Sequence, residues 1–214
     1  MDLYIVRHGQ SESNCGLTDS EDAVLTELGI RQAGLLGDAL SDIKFDRILA
    51  SPLCRSARTA HEIALRQKQD IKVELLPELA EVGTKPSVKW AISETQGHEQ
   101  CPLAMPLQIP TVLNGNGVPV EETLDDTRNR AKKIISYLKE TSDENDNILL
   151  CTHAVFNKYL FYASTGHFFE DLVSLSQHNC CVNLFRFFTD IYGRKKVRIC
   201  YMNKTNHLPE EMHT

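Results

Sequence analysis

The distribution of apolar positions along this 214-residue chain predicts short strands alternating with helices. Apolar or alternating runs predict strands at 3–6, 47–50, 71–75, 148–151, 182–187 and 197–202. The run at 148–151 has no polar position, which is typical of a parallel strand that is covered on both faces. The run at 71–75 alternates and could form an edge of the sheet. A turn at Tyr192-Gly193 separates the last two strands.

Helical periodicity predicts four helices between these strands. Thr26 is an expected N-cap for an amphipathic helix that ends near Leu40. The pair Ser51-Pro52 is typical of a helix start, and the apolar stripe Leu53, Ala57, Ala60 and Ala64 follows it. A third helix opens at Thr123 with a capping box, and a fourth covers 155–163. This alternation predicts an α/β fold, a three-layer α/β/α sandwich with a mostly parallel central sheet.

The length is that of a single domain, which we expect to cover residues 1–214. Residues 84–119 interrupt the alternation, because they are rich in proline and glycine and show no sustained period. Long connections of this kind often form lids, so we interpret 84–119 as a lid-like insertion that includes a short helix at 88–96. The alternative is a surface excursion with no role.

Charge and composition exclude several classes of function. With 23 basic and 29 acidic residues the chain has a net charge of -6, which argues against a nucleic-acid or polybasic membrane surface. No apolar run approaches the roughly 20 residues that span a bilayer, and the charged flanks of the first strand argue against a signal peptide. The odd number of cysteines, seven, favours free thiols and a cytoplasmic location. Cys54 could be a reactive thiol at a helix start or a small core residue.

Three predicted strands lead directly into residues that can handle a phosphoryl group. The first ends at Arg7-His8, the second leads to Arg55, and the fourth ends at His153. If these strands are neighbours, two guanidinium groups and two imidazoles meet at the edge of the sheet where α/β proteins bind ligands. Guanidinium forks bind phosphoryl oxygens, and a neutral imidazole can attack phosphorus while fixed cations stabilise the charge. Taken singly, each histidine could instead be structural, and Arg55 could face solvent.

The same residues carry a resemblance to a known family. The chain reads LYIVRHGQSESN at 3–14, LTELG at 25–29, ASPLCRSARTA at 50–60, LAE at 79–81, ET at 122–123 and LLCTH at 149–153. Together these motifs resemble the histidine phosphatase superfamily, the phosphoglycerate mutase-like proteins. The sequence departs from the family pattern at Ala154, where a glycine commonly follows the second histidine. It also departs after Glu81, where the family's usual tryptophan-containing segment is missing.

The resemblance implies a phosphohistidine mechanism. His8 would be the nucleophile, and Arg7, Arg55 and His153 would hold the transferred phosphoryl group, with Asn14 as a further donor. Glu81 would protonate the leaving oxygen and then help to activate water, although Glu78 lies close enough in sequence to be the acid instead. The resemblance implies neither a metal nor an organic cofactor.

We therefore expect a metal-independent phosphomonoester hydrolase that acts on a small phosphorylated metabolite. A phosphoglycerate mutase-type phosphotransferase is the first alternative. Residues 84–119 contain no arginine and no tyrosine, and Lys85 and Lys89 are their only cations, which favours the hydrolase over a mutase. The second alternative is a phosphatase-like domain that binds a partner. The sequence does not identify the substrate or the oligomeric state.

Overall fold

A computed structural model describes residues 1–83, 99–106, 122–167 and 175–214. Within these ranges the strands are β1 (Asp2–Arg7), β2 (Arg47–Ala50), β3 (Val73–Leu75), β4 (Ala104–Pro106), β5 (Asn147–Thr152), β6 (Val182–Thr189) and β7 (Lys195–Lys204). The helices are α1 (Glu27–Leu40), α2 (Cys54–Ala64), α3 (Leu124–Thr141) and α4 (Ala154–Thr165). The helix expected at 88–96 and most of the expected lid lie outside the described residues.

The strands form one sheet in the order β4-β3-β2-β5-β1-β6-β7. Strands β1 to β5 run parallel to one another, whereas β6 is antiparallel to β1 and β7 is antiparallel to β6. The prediction of a mostly parallel sheet is therefore confirmed. Strand β5 pairs with β1 on one side and with β2 on the other, so Leu150 lies opposite both Ile5 and Leu49. The carboxyl ends of β1, β2 and β5 consequently meet at one edge.

Helices cover both faces of the sheet, which confirms the three-layer sandwich. On one face, Leu36 of α1 and Ile63 of α2 pack in a common core with Ile48 and Leu149. On the other face, Ile134 of α3 and Leu160 of α4 join a second core, to which β1 contributes Leu3 and Ile5 and β5 contributes Ile148 and Leu150. Because successive residues of a strand point to opposite faces, alternate residues of the central strands belong to the two different cores.

Two helix starts agree with the sequence, and a third does not. Thr26 caps α1 by accepting a hydrogen bond from Gly29 N at 3.0 Å, and Thr123 and Asp126 form the expected capping box of α3. Helix α2, however, begins at Cys54 rather than at Ser51-Pro52. The Ser51 hydroxyl accepts from Leu53 N at 3.3 Å and also binds an imidazole, whereas Asp22 Oδ1 accepts from Cys54 N, at the first residue of the helix, at 2.7 Å.

Strand β4 is a finding that the sequence did not predict. Its three residues lie inside the aperiodic stretch, and they pair with β3, so β3 is not an edge of the sheet. The sequence pattern also places Leu124 on the apolar face of α3 with Ala131 and Ile134, but Leu124 is 61% exposed in the structure. No helix in the described part of the chain is long and apolar enough to cross a membrane.

The loop after β1 is held against the start of α1 by a contact that only glycine permits. A Cβ atom on Gly9 would lie 2.5 Å from Gly29 O, and one on Gly29 would lie 2.0 Å from Gln10 O. Thr59 Oγ1 accepts from Gly9 N at 3.0 Å and ties the same loop to α2. The backbone that follows His8 is therefore fixed from two helices.

Candidate active site

His8 follows the last residue of β1, and its backbone N–H still bonds to Thr152 O of β5 at 3.0 Å. Its imidazole is 3% exposed. Nδ1 lies 2.7 Å from Gly9 O, and Nε2 lies 3.2 Å from Arg55 Nε. A carbonyl only accepts and a guanidinium only donates, so Nδ1 carries the hydrogen and Nε2 keeps its lone pair. The structure thus places a neutral imidazole with its Nε2 directed at a cation.

The two arginines approach His8 from different strand ends. Arg55, in the first turn of α2, is 8% exposed and also donates from NH1 to Glu21 O at 2.8 Å. Arg7, the last residue of β1, donates from NH1 to Gln177 O at 2.5 Å. Its Nε is buried and makes no hydrogen bond among the described residues, so a donor remains for a ligand.

His153 precedes α4 and is fully buried next to His8, with the two ring centroids 5.1 Å apart. Its Nε2 lies 2.8 Å from Ser51 Oγ, at the end of β2. Its Nδ1 is buried and has no hydrogen-bond partner among the described residues. The ring is therefore oriented by a strand-end serine and retains one nitrogen for a bound group.

Burial and the neighbouring cations keep both imidazoles neutral. Burial, then the charges of Arg55 and Arg7, hold the pKa of His8 well below its usual value. Burial, then Arg55 and His8, do the same to the pKa of His153. Burial also lowers the pKa of Arg7 and Arg55, and the Glu81 carboxylate acts in the opposite direction on both. Two guanidinium groups beside two neutral imidazoles favour an anionic ligand.

Asn14 lies in a short 3-10 helix, Glu12–Cys15, close to this edge of the sheet. Its Oδ1 accepts from Ser11 N at 3.1 Å and from Asn179 Nδ2 at 3.3 Å. Because Asn179 Nδ2 also donates to His8 O at 2.9 Å, Asn14 is linked to the nucleophile candidate through one amide. Its own amide NH₂ group is the part that can donate to a phosphoryl oxygen.

The Glu81 carboxylate binds backbone N–H groups in the first turn of the helix that follows His153, and its charge acts on both Arg7 and Arg55. Its Oε1 accepts from Val82 N and from Phe156 N, both at 2.9 Å, and its Oε2 accepts from Val155 N at 3.3 Å. These contacts place the carboxylate at the N-terminus of α4, the helix that begins one residue after His153. Glu78 lies in the 3-10 helix Pro77–Leu79, and its side chain is 2% exposed.

Several residues around the site were not identified from the sequence. Ser51 was expected only as a helix cap. Gln177 and Asn179 contact Arg7 and His8 across more than 165 positions of sequence, and no local pattern marks such pairs. Arg130 was missed although a signal existed, because it lies four residues before Ile134 on the apolar face of α3.

The surroundings of Cys54, which begins α2, disfavour the thiolate form. Burial, together with the hydrogen bond from its Sγ to Asp22 Oδ2 at 3.0 Å, raises the pKa of Cys54 to about 12. The alternative of a small structural residue therefore agrees with its surroundings.

In the described part of the chain, no group of three or more His, Cys, Asp or Glu side chains is arranged to hold a metal ion.

Comparison with known proteins gives a family match that covers nearly all of the chain. The family model described as "Histidine phosphatase superfamily (branch 1)" matches residues 3–197. The solved structure of a phosphoserine phosphatase from Entamoeba histolytica, in complex with 3-phosphoglyceric acid, covers 97% of this chain and 99% of its own, with a TM-score of 0.64 and 22% identity. This likeness shows the fold, that of the phosphoglycerate mutase-like phosphatases.

Two curated relatives share more of their sequence over shorter stretches. Fructose-2,6-bisphosphatase TIGAR of Xenopus tropicalis is 31% identical over 146 residues, which are 64% of this chain and 49% of that protein. Adenosylcobalamin/alpha-ribazole phosphatase of Salmonella typhimurium is 40% identical over 84 residues, which are 38% of this chain and 41% of that protein. The chain therefore spans less than half the length of either relative. Both relatives carry the names of phosphatases.

Proposed function

Because the chain belongs to the histidine phosphatase superfamily, branch 1, we propose that it is a metal-independent phosphomonoester hydrolase that works through a phosphohistidine on His8. The observation that carries the proposal is the state of His8, a buried neutral imidazole whose Nε2 lone pair lies 3.2 Å from Arg55 Nε. A phosphoryl group that binds Arg55 is thereby brought next to the nucleophilic nitrogen.

In the first step, Nε2 of His8 attacks phosphorus in line with the leaving oxygen. Arg7, Arg55 and His153, with Asn14 as a further donor, bind the equatorial oxygens, where negative charge develops. The Nδ1–H bond to Gly9 O fixes the ring and stabilises the cationic phosphohistidine that forms. Glu81 donates a proton to the leaving alkoxide, and the product alcohol departs.

In the second step, the Glu81 carboxylate takes a proton from water as that water attacks the phosphohistidine. Inorganic phosphate leaves, and His8 returns to its neutral state. Arginine and histidine supply the electrostatic stabilisation throughout, so this cycle requires no metal and no organic cofactor. The substrate class that fits is a small phosphate monoester. The cytoplasmic location expected from the free thiols is part of the same proposal.

A phosphate-monoester screen in EDTA, run beside a phosphoglycerate mutase assay, tests this function. We expect hydrolysis of p-nitrophenyl phosphate and of at least one alkyl phosphate, no dependence on added metal, and no activity in the His8→Ala variant. Loss of activity in EDTA that zinc or magnesium restores would show that the histidines are metal ligands. Phosphoryl transfer without hydrolysis would favour the mutase, and a folded protein with neither activity would favour partner binding.

A further inference from the structure

We propose that Arg130 is the positioning residue for the acid Glu81, and that the Glu122–Arg130 ion pair holds Arg130 in place for that task. The inference rests on the proposed function, because it takes Glu81 to be the proton donor. It assigns a role to Arg130 of α3 and to Glu122, which lies just before α3. Neither residue binds the phosphoryl group in the proposed mechanism.

The Arg130 side chain donates hydrogen bonds to the backbone just before Glu81. Its NH1 donates to Glu78 O at 2.5 Å and to Ala80 O at 2.9 Å. The Ala80 carbonyl belongs to the peptide bond that joins Ala80 to Glu81. The 3-10 helix Pro77–Leu79 ends here, so these carbonyls lack a continuing helix as partner, and the guanidinium takes its place. Arg130 thus holds the backbone at Ala80, and Thr152 Oγ1 holds the preceding residue by donating to Leu79 O at 3.0 Å.

Arg130 also contacts the helix that receives the Glu81 carboxylate. Its guanidinium carbon lies 3.9 Å from the centroid of the Phe156 ring, and Phe156 N donates to Glu81 Oε1 at 2.9 Å. One guanidinium therefore packs between the segment that carries the acid and the helix N-terminus that binds it. A shift of Arg130 would change the distance between these two parts.

The orientation of Arg130 is fixed by Glu122. Nε and NH2 donate to the two carboxylate oxygens of Glu122 at 2.6 and 2.8 Å, and both side chains are 3% exposed. This bidentate pair leaves NH1 directed at the carbonyls. Because four of its five N–H groups are engaged with protein, Arg130 acts on the reaction through Glu81 and not by binding substrate.

A kinetic test separates positioning of the acid from a general structural effect. Arg130→Lys keeps the positive charge near His153 but cannot form the bidentate fork. We expect kcat/KM to fall by about 10²-fold for an alkyl phosphate, the effect of displacing a reacting group by about 1 Å. For p-nitrophenyl phosphate, whose leaving group needs no proton, we expect a change of less than about 3-fold. Equal losses on both substrates, or no loss, would overturn the inference.

Three further variants test for misfolding and for an indirect effect. Arg128→Lys is the matched control, because Arg128 lies on the same helix but forms a half-exposed pair with Asp125, and both activities should be retained. The double variant Arg130→Met/Glu122→Leu removes both buried charges together, so no uncompensated charge remains, and it should show the same selective loss. In a Glu81→Gln background, Arg130→Lys should have no further effect on the alkyl phosphate. A full additional loss there would contradict a role exercised through Glu81.

Hydrogen exchange tests the inference even if the protein hydrolyses neither substrate, an outcome that would defeat the proposed function alone. The amides of Val155 and Phe156 lie in the first turn of α4, where N–H groups have no partner within the helix, so the Glu81 carboxylate protects them. We expect both amides to exchange about 10-fold faster or more in Arg130→Lys than in Arg128→Lys. Unchanged protection would show that Arg130 does not hold Glu81 in place.

Discussion

Two neighbouring regions at the carboxyl edge of the sheet are built in different ways. The strand-end cluster consists of His8, Arg55 and His153, which are buried, and Arg7, which is partly buried. The backbone at Arg7 and His8 is tied into the sheet, for example by the bond from His8 N to Thr152 O. The Glu81 segment, residues 76–83, leaves the sheet after β3. It is held by the Arg130 side chain of α3, by the Thr152 hydroxyl at the end of β5 and by backbone N–H groups in the first turn of α4. In the proposed mechanism, binding of the transferred group depends on strand register, whereas proton transfer depends on a few contacts of the Glu81 segment.

This difference predicts two classes of variant. Substitutions in the strand-end cluster should affect every substrate, because all substrates share the phosphoryl group. Substitutions in the Glu81 segment should slow hydrolysis most for the substrates with the poorest leaving groups. The predictions below test this separation.

The largest effect is expected from Arg55→Ala. Removing a donor to the developing charge typically costs about 10²–10³-fold in rate, and we expect a loss of that size for p-nitrophenyl phosphate and for an alkyl phosphate alike. Arg58→Ala is the matched control, since Arg58 lies on the same helix and pairs with Glu62. A loss confined to one class of substrate would break the proposed separation.

Glu81→Gln should produce the opposite pattern. Without the acid, hydrolysis of an alkyl phosphate should slow by about 10²-fold or more, whereas p-nitrophenyl phosphate should change only a few-fold. Measuring kcat/KM for a series of leaving groups gives this dependence directly. Glu78→Gln belongs in the same experiment. If Glu78→Gln shows the leaving-group dependence and Glu81→Gln does not, the acid is Glu78.

A smaller effect concerns the pH dependence of stability. Burial lowers the pKa of His8 and His153 in the folded protein, so below about pH 6.5 the unfolded chain binds protons that the folded chain does not. The free energy of unfolding should therefore fall with decreasing pH, by up to about 1.4 kcal/mol per pH unit for each histidine. His153→Gln should reduce that slope by one histidine's share in urea unfolding between pH 7 and 5.5. An unchanged slope would show that His153 is not held neutral by the fold.

The strand-end cluster could be predicted from sequence because its signals are local. Arg7-His8 and His153 each follow an apolar run directly, and the alternation of strands and helices requires those runs to be parallel. What the cluster needs from elsewhere was not predictable. Ser51 binds His153 across 102 positions and Asn179 binds His8 across 171, and only the folded register brings these pairs together.

The Glu81 segment was less predictable for a related physical reason. Glu78 and Glu81 are both compatible with the local pattern, and the choice between them depends on which carboxylate reaches the N-terminus of α4. In the proposal made above, Arg130 determines that outcome, and in the sequence Arg130 is an isolated charge within an apolar helical face. Strand β4 was missed because three residues provide too short a pattern, and its pairing partner β3 determines its structure.

The most direct test of the account is to trap the phosphoenzyme. The protein is mixed with a phosphate monoester that it hydrolyses, quenched within one turnover, and the phosphorylated residue is located by peptide mass spectrometry. The account predicts an acid-labile, base-stable phosphoryl group on His8, and more of it in Glu81→Gln if water activation is slowed. A phosphoryl group on serine or cysteine, or turnover retained by His8→Ala, would contradict it.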